Sequence, residues 1–306
     1  MTPLFGAINV DKPKGKTSHD IVQEVRRVLR LRKVGHGGTL DPMATGVLPI
    51  LVGGATRLMD QVALGKKTYL AEVYFGIKTD TLDAEGTPLE QKEVPPGLTR
   101  GDLSSLFPKW TGEVMQTVPK FSAVRKGGKR LYDLARTNQA PIDLPTRKVT
   151  IHSIDLQSWD PPKMTIIVDC GKGTYIRQLA SDFGDDLGCG AHLSGLRRTR
   201  VGPLSIETAV ELSRLRQASQ RGGISDIVIS PQLLLTHLSS VIVTQDEALA
   251  LSQGKRLSLM EMKRQPPWGP DKETNPLATY LEGGELVAIA TLEAGFLKPK
   301  KVFWRP

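Results

Sequence analysis

Apolar residues recur along this chain with two periods, and the switches between them mark out its elements. Ile21, Val22, Val25, Val28 and Leu29 repeat on one helical face, and Thr17-Ser18 ahead of them offers an N-cap, so a helix is predicted there. Tyr69, Ala71, Val73 and Phe75 alternate as a half-buried strand does. Phe5 to Val10, Val149 to Leu156 and Met164 to Cys170 read as further strands, while Ile176, Leu179, Phe183 and Leu187 place a helix over residues 175–187. Strands and helices mix without regular alternation, which predicts an α+β architecture rather than a doubly wound sheet.

Turn-forming residues over 218–230 suggest a boundary, and from about Val241 the pattern changes. A short helix is predicted over 246–253 with Gly254 as its C′ residue. Strands follow over 278–281 and 286–292, and the proline-rich stretch 265–276 reads as a loop. We therefore expect a main unit over 1–235 and a small β-rich unit over 236–306.

Charge sharpens this picture. The chain of 306 residues carries a formal net charge of +9, which points to a polyanionic partner. The last 66 residues account for only +1 of it, so the excess lies in the main unit. Arg26, Arg27, Arg30, Arg32 and Lys33, on and after the first helix, are expected to line a phosphate track. Between Glu113 and Asp133 no acidic residue occurs, yet Lys120, Arg125, Lys126, Lys129 and Arg130 do, interleaved with Phe121, Leu131 and Tyr132. That composition predicts an exposed basic insertion over about 115–145, mobile when empty, which closes on nucleic acid. Cys170 and Cys189 are too few for a zinc site, and Met1-Thr2-Pro3-Leu4 begins no secretory signal, so a reduced cytoplasmic protein is expected. No apolar stretch approaches the roughly 20 residues of a membrane-spanning helix.

The chemistry concentrates in Gly35-His36-Gly37-Gly38-Thr39-Leu40-Asp41-Pro42, which leads into a capped apolar segment ending at Ile50. Three glycines in four positions cost conformational entropy, which is tolerable where backbone must bend sharply or lie against a ligand. Pro42 forces Asp41 into an extended conformation and holds its carboxylate off any helix. Alternative chemistries lack their marks. Gly15-Lys16-Thr17 has Val10 where a phosphate-binding loop needs glycine, and no Gly-x-Gly-x-x-Gly follows a strand. The histidines at 19, 36, 152, 192 and 237 show no ligand spacing, and no Gly-x-Ser-x-Gly elbow occurs. What remains is one fixed carboxylate beside a basic surface, the equipment of an enzyme that extracts a base from its stack.

At these residues the chain resembles the bacterial TruB family of tRNA pseudouridine-55 synthases along nearly its whole length. The run from Gly35 to Gly46 is the most specific match. Asp11-Lys12-Pro13, Lys67-Thr68-Tyr69 with Gly76 to Gly86, Phe121 to Tyr132, Gly173-Thr174-Tyr175-Ile176-Arg177, and Gly190 to Arg198 resemble further family blocks in order. The stretch from Asp246 to Gly254 and the run Leu286 to Ala290 are more loosely similar to a PUA domain. The resemblance implies a pseudouridine synthase fold: a central mixed sheet with a catalytic cleft, a thumb inserted into it, and a small appended RNA-binding domain. It implies no cofactor and no metal, a tRNA T stem-loop as the one partner, and a monomer. Some relatives carry Thr where this chain has Gly37.

By the same resemblance Asp41 is the catalytic carboxylate, Arg177 pairs with it and fixes its direction, and Tyr69 stacks on the flipped uracil and can relay a proton. His36 fills the space left by extruded nucleotides, and Tyr175 and Leu196 wall the base pocket. Lys12, Lys129, Arg130, Arg197 and Arg198 contact phosphates. Two rivals stay open at this point: a non-catalytic RNA-binding or RNA-folding factor on the same scaffold, and a guide-RNA-dependent synthase of the dyskerin type.

Overall fold

The computed structural model describes residues 4–137, 143–262 and 276–306. The opening residues 1–3, the middle of the insertion and most of the proline-rich 265–276 lie outside these. The chain begins with strand β1 (Phe5–Lys12) and helix α1 (Ser18–Leu29), then β2 (Val34–His36) and β3 (Thr45–Gly53). Helix α1 starts where a capping box forms between Thr17 and Asp20, and it ends at Arg30 in a left-handed conformation. It buries Ile21, Val22 and Val25, as the periodicity requires. The apolar segment after Asp41 becomes β3, buried over residues 46–52.

After α2 (Met59–Leu64), β4 (Lys67–Phe75) buries Tyr69, Ala71, Val73 and Phe75 on one face. A hairpin of β5 (Ile77–Thr79) and β6 (Pro88–Gln91), helix α3 (Arg100–Trp110) and β7 (Gly112–Thr117) lead into the insertion. There β8 (Arg125–Lys126), β9 (Lys129–Arg130) and α4 (Leu131–Arg136) form. The long hairpin β10 (Thr146–Asp160) and β11 (Lys163–Cys170), helix α5 (Ile176–Asp186), β12 (Ala191–Val201) and β13 (Leu204–Ser205) complete the main sheet.

That sheet runs β1-β3-β12-β4-β11-β10-β7, with β2 on β3 and β13 on β12. Every pairing is antiparallel except the short contact of β12 with β3, which makes the sheet mixed. The parallel contact matches Arg197 to Thr45 and Arg198 to Gly46. Gly46 has φ +101°, and a Cβ there would stand 2.2 Å from the Arg198 carbonyl, so only glycine lets the two strands meet.

Helices α6 (Leu212–Arg221) and α7 (Pro231–Leu234) follow. The stretch expected to be a boundary lies along the sheet: Ala7 and Ile229 exchange both backbone hydrogen bonds, at 2.9 and 2.7 Å. Beyond it come β14 (Ser240–Val243), α8 (Gln245–Ser252), β15 (Leu257–Ser258), β16 (Leu277–Leu281), β17 (Leu286–Glu293) and β18 (Phe296–Val302). These five strands form a second sheet, β14-β16-β17-β18-β15, whose own core includes Val241, Leu251, Val287 and Leu297. Leu234, Leu235, Ala278, Leu286 and Ile289 pack with Val47, Leu51 and Leu58, so apolar burial continues from one sheet to the other. No helix among the described residues is long and apolar enough to cross a membrane.

Candidate active site

The loop between β2 and β3 carries Asp41, and its backbone is pinned at almost every residue. Gly37 donates to the Pro49 carbonyl at 2.8 Å, and the Ser18 hydroxyl both accepts from the Leu40 N–H and donates to its carbonyl. The Pro42 carbonyl accepts from the Gly15 N–H at 2.9 Å and from Lys12 Nζ at 3.2 Å. Arg198, only 1% exposed, donates to the carbonyls of Gly38, Thr39 and Val47. A guanidinium with five fixed donors suits that task, because it satisfies several buried carbonyls at once.

Asp41 faces a cavity of about 610 Å³ that Tyr69, Phe121, Tyr132, Tyr175, Arg177 and Leu196 help to line. Arg177 comes from the first turn of α5, and its Nε lies 3.3 Å from Asp41 Oδ2. The contact is an ion pair rather than an aligned hydrogen bond. The other two guanidinium nitrogens are committed elsewhere: Nη1 donates to the Thr81 carbonyl at 3.3 Å and Nη2 to the Phe121 carbonyl at 2.6 Å. The guanidinium is thus fixed from three sides. Tyr175, just before α5, holds its ring centroid 5.7 Å from the same guanidinium.

Tyr69 projects from β4 into this cavity and is 8% exposed. Burial raises its phenol above the usual tyrosine range, partly offset by Arg198. The ring therefore presents a neutral, apolar face with its hydroxyl proton retained. Leu196, from β12, adds an aliphatic wall. Together they enclose a slot of the kind an extruded base requires, with the Asp41 carboxylate at its edge.

Several expected residues sit elsewhere. Lys12 is fully buried, and its ammonium donates to the carbonyls of Pro13, Lys16 and Pro42, so it shapes the Asp41 loop instead of reaching a phosphate. Burial pushes that ammonium down to about 8. Arg198 does reach the cavity wall, and three of its five donors go to the carbonyls of Val47, Thr39 and Gly38. Arg197 pairs with Asp11 at 2.7 Å while remaining partly exposed. His36 ends β2, opposite Ile50, and does not line the cavity. Burial lowers its imidazole below the ordinary range, with Arg198 and His19 adding.

Arg27, Arg30, Arg32 and Lys33 are exposed at the far end of α1. The near end, at Ser18, holds the Asp41 loop, so a helix length of about 18 Å separates them from the carboxylate. In the insertion Arg125, Lys126, Lys129 and Arg130 are exposed on the β8-β9 hairpin. The insertion is not wholly exposed, however: Leu131 is fully buried and Val118 nearly so, while Phe121, Ser122 and Tyr132 reach the cavity. Apolar residues interleaved with the basic ones are what anchor it.

No pattern along the chain marks Gln116, a buried amide in β7 that brackets the backbone of Tyr175. Nor does one show that the carbonyls of Thr81 and Phe121 orient Arg177. Backbone acceptors carry no residue signature.

A mixed sheet with its carboxylate loop beside the parallel strand contact is the pseudouridine synthase fold. A chain in the crystal structure of a Cbf5-Nop10-Gar1 complex superposes with a TM-score of 0.76 at 27% identity, covering 98% of this chain and 85% of that one. A Cbf5 chain of an archaeal box H/ACA Nop10-Cbf5 complex gives 0.73, also at 27% identity, covering 98% and 86%. The chain belongs to the TruB family. Residues 26–176 match the amino-terminal domain of TruB family pseudouridylate synthases, and 177–249 match the tRNA pseudouridylate synthase B carboxy-terminal domain. It is 36% identical over 304 residues to tRNA pseudouridine synthase B of Dehalococcoides mccartyi, covering 99% of this chain and 98% of that protein. It is 40% identical over 317 residues to the protein of the same name from Moorella thermoacetica, covering 98% and 99%.

Proposed function

We propose that this chain converts uridine 55 in the T arm of tRNA to pseudouridine, acting alone and without a guide RNA. The observation that carries the reading is Asp41, pinned in a cavity of base-accommodating size with Arg177 Nε 3.3 Å away. The target uridine leaves its loop and enters the slot beside Tyr69 and Leu196. The bond from uracil N1 to C1′ of the sugar breaks, the base turns, and C5 bonds to C1′. The C5 proton is lost and N1 gains one, so the reaction is a net isomerisation that consumes nothing else. Asp41 serves it by attacking the sugar, attacking the base or removing a sugar proton, and each route needs the carboxylate held still and unshielded.

Lys129, Arg130 and the exposed part of Arg197 contact the RNA backbone in this reading, His36 fills the space that the extruded nucleotides leave, and Tyr175 walls the base. The catalytic unit spans 1–235 with its thumb at about 115–145, and 236–306 forms a PUA-like RNA-binding unit. The enzyme works as a monomer in the cytoplasm. Relatives named tRNA pseudouridine synthase B, matched over nearly the full chain, support the tRNA substrate.

The test is tritium release from 5-tritiated uridine in an isolated T-arm hairpin. Wild type should release it with no other RNA present, whereas Asp41→Asn should bind the hairpin and release none. No release by wild type removes the enzyme reading, and release only with an added guide removes the standalone one.

A further inference from the structure

Gln116 is the single buried residue of β7, and it is polar. Its Nε2 donates to the Tyr175 carbonyl at 2.9 Å, and its Oε1 accepts the Tyr175 N–H at 2.8 Å. A side chain that copies a backbone ladder on one residue fixes both peptide planes flanking that residue. Tyr175 is where α5 begins, and no side chain caps that helix start. Two residues later stands Arg177. The insertion also supplies the Phe121 carbonyl that accepts from Arg177 Nη2, so it holds the segment 175–177 at two points.

We infer that Gln116 is a positioning residue: it ties the base of the insertion to the start of α5 and so sets the direction from which Arg177 meets Asp41. Gln116 is 59 residues from Tyr175 in sequence and touches neither carboxylate nor cavity. Losing its Oε1 takes the acceptor from the Tyr175 N–H, and losing its Nε2 leaves the Tyr175 carbonyl with the Leu179 N–H alone. Small rotations at the helix start swing the guanidinium, and a misplacement of about 1 Å can slow a reaction about 100-fold.

The inference rests on the pseudouridine synthase reading, and wild type run in parallel separates the two: an inactive wild type overturns that reading, not this one. The variants are Gln116→Glu and Gln116→Met, assayed by single turnover on a T-arm hairpin together with hairpin Kd and Tm. Gln116→Met should turn over about 10- to 100-fold more slowly with Kd within about twofold of wild type. Gln116→Glu keeps the shape, but when ionised it cannot donate to the Tyr175 carbonyl; when protonated it can. Its rate, relative to wild type at each pH, should therefore recover as pH falls from about 8.5 to about 6, since burial raises a carboxyl's titration into that range. Rates at wild-type level in both variants overturn the inference. So does a loss confined to Kd, or one that tracks the unfolded fraction and shows no recovery with pH in Gln116→Glu.

Discussion

Arg177 Nε stands 3.3 Å from Asp41 Oδ2, and the guanidinium side chain is 5% exposed while the carboxylate is 36% exposed. The asymmetry divides the labour. The arginine is a fixed part of the protein, and the carboxylate is the part that meets what enters the cavity.

Replacing that arginine should expose the division. Arg177→Lys keeps a positive charge but loses the planar fork that serves Asp41, Thr81 and Phe121 together. We expect pseudouridine formation in single turnover to fall about 100-fold and stability to drop by about 1–3 kcal/mol, as at least one buried carbonyl loses its donor. A rate within about threefold of wild type would remove the orienting role.

Arg198 should behave as a structural residue. Arg198→Met leaves the carbonyls of Gly38, Thr39 and Val47 without their donor and loosens the loop before Asp41. Denaturant titration should show a loss of about 3–5 kcal/mol, with the salt dependence of tRNA binding by the folded fraction unchanged. A variant of undiminished stability whose salt slope shrank by about one unit would restore the phosphate role.

Asp182, in α5, predicts a dependence of stability on pH. Burial raises its carboxyl to about 6, with nearby Asp185 and Asp186 adding and a hydrogen bond from Gln178 opposing. Between its unfolded value near 3.8 and about 6, the folded protein holds the proton that the unfolded chain has released. Stability from this group is therefore present below about 4 and is lost as pH rises through about 6. Asp182→Asn can still accept from Gln178. It should stabilise the protein by about 1–2 kcal/mol at pH 7, after allowance for solvent screening, and by nothing at pH 4. Equal effects at both pH values would rule out the titration.

The insertion makes a prediction about binding alone. Lys126, Lys129 and Arg130 are exposed on the β8-β9 hairpin, whereas buried Leu131 anchors it. Changing all three basic residues to Ala should weaken tRNA binding, flatten its salt dependence by about three units if each meets a phosphate, and leave Tm within a few degrees. Unchanged affinity would take the hairpin out of RNA recognition.

Local chemistry made much of the fold readable in one dimension. Helix α1, strand β4 and helix α5 each declare themselves because burial of one face imposes a period, and a capping box or a glycine marks the end. Asp41 stood out for a related reason: glycine and proline restrict backbone in ways that leave a signature in the chain itself.

The sequence alone determined that segments such as α1, β4 and α5 form, and which carboxylate is set apart in a rigid turn. Only the tertiary structure decided that Lys12 and Arg198 face inward as backbone clamps, that His36 lies off the cavity, and that Gln116 reaches across to Tyr175. A cationic or amide side chain reads the same in sequence whether its donors meet solvent, phosphate or a buried carbonyl. That choice is made by strands far apart in the chain, whose carbonyls become neighbours only when the sheet closes.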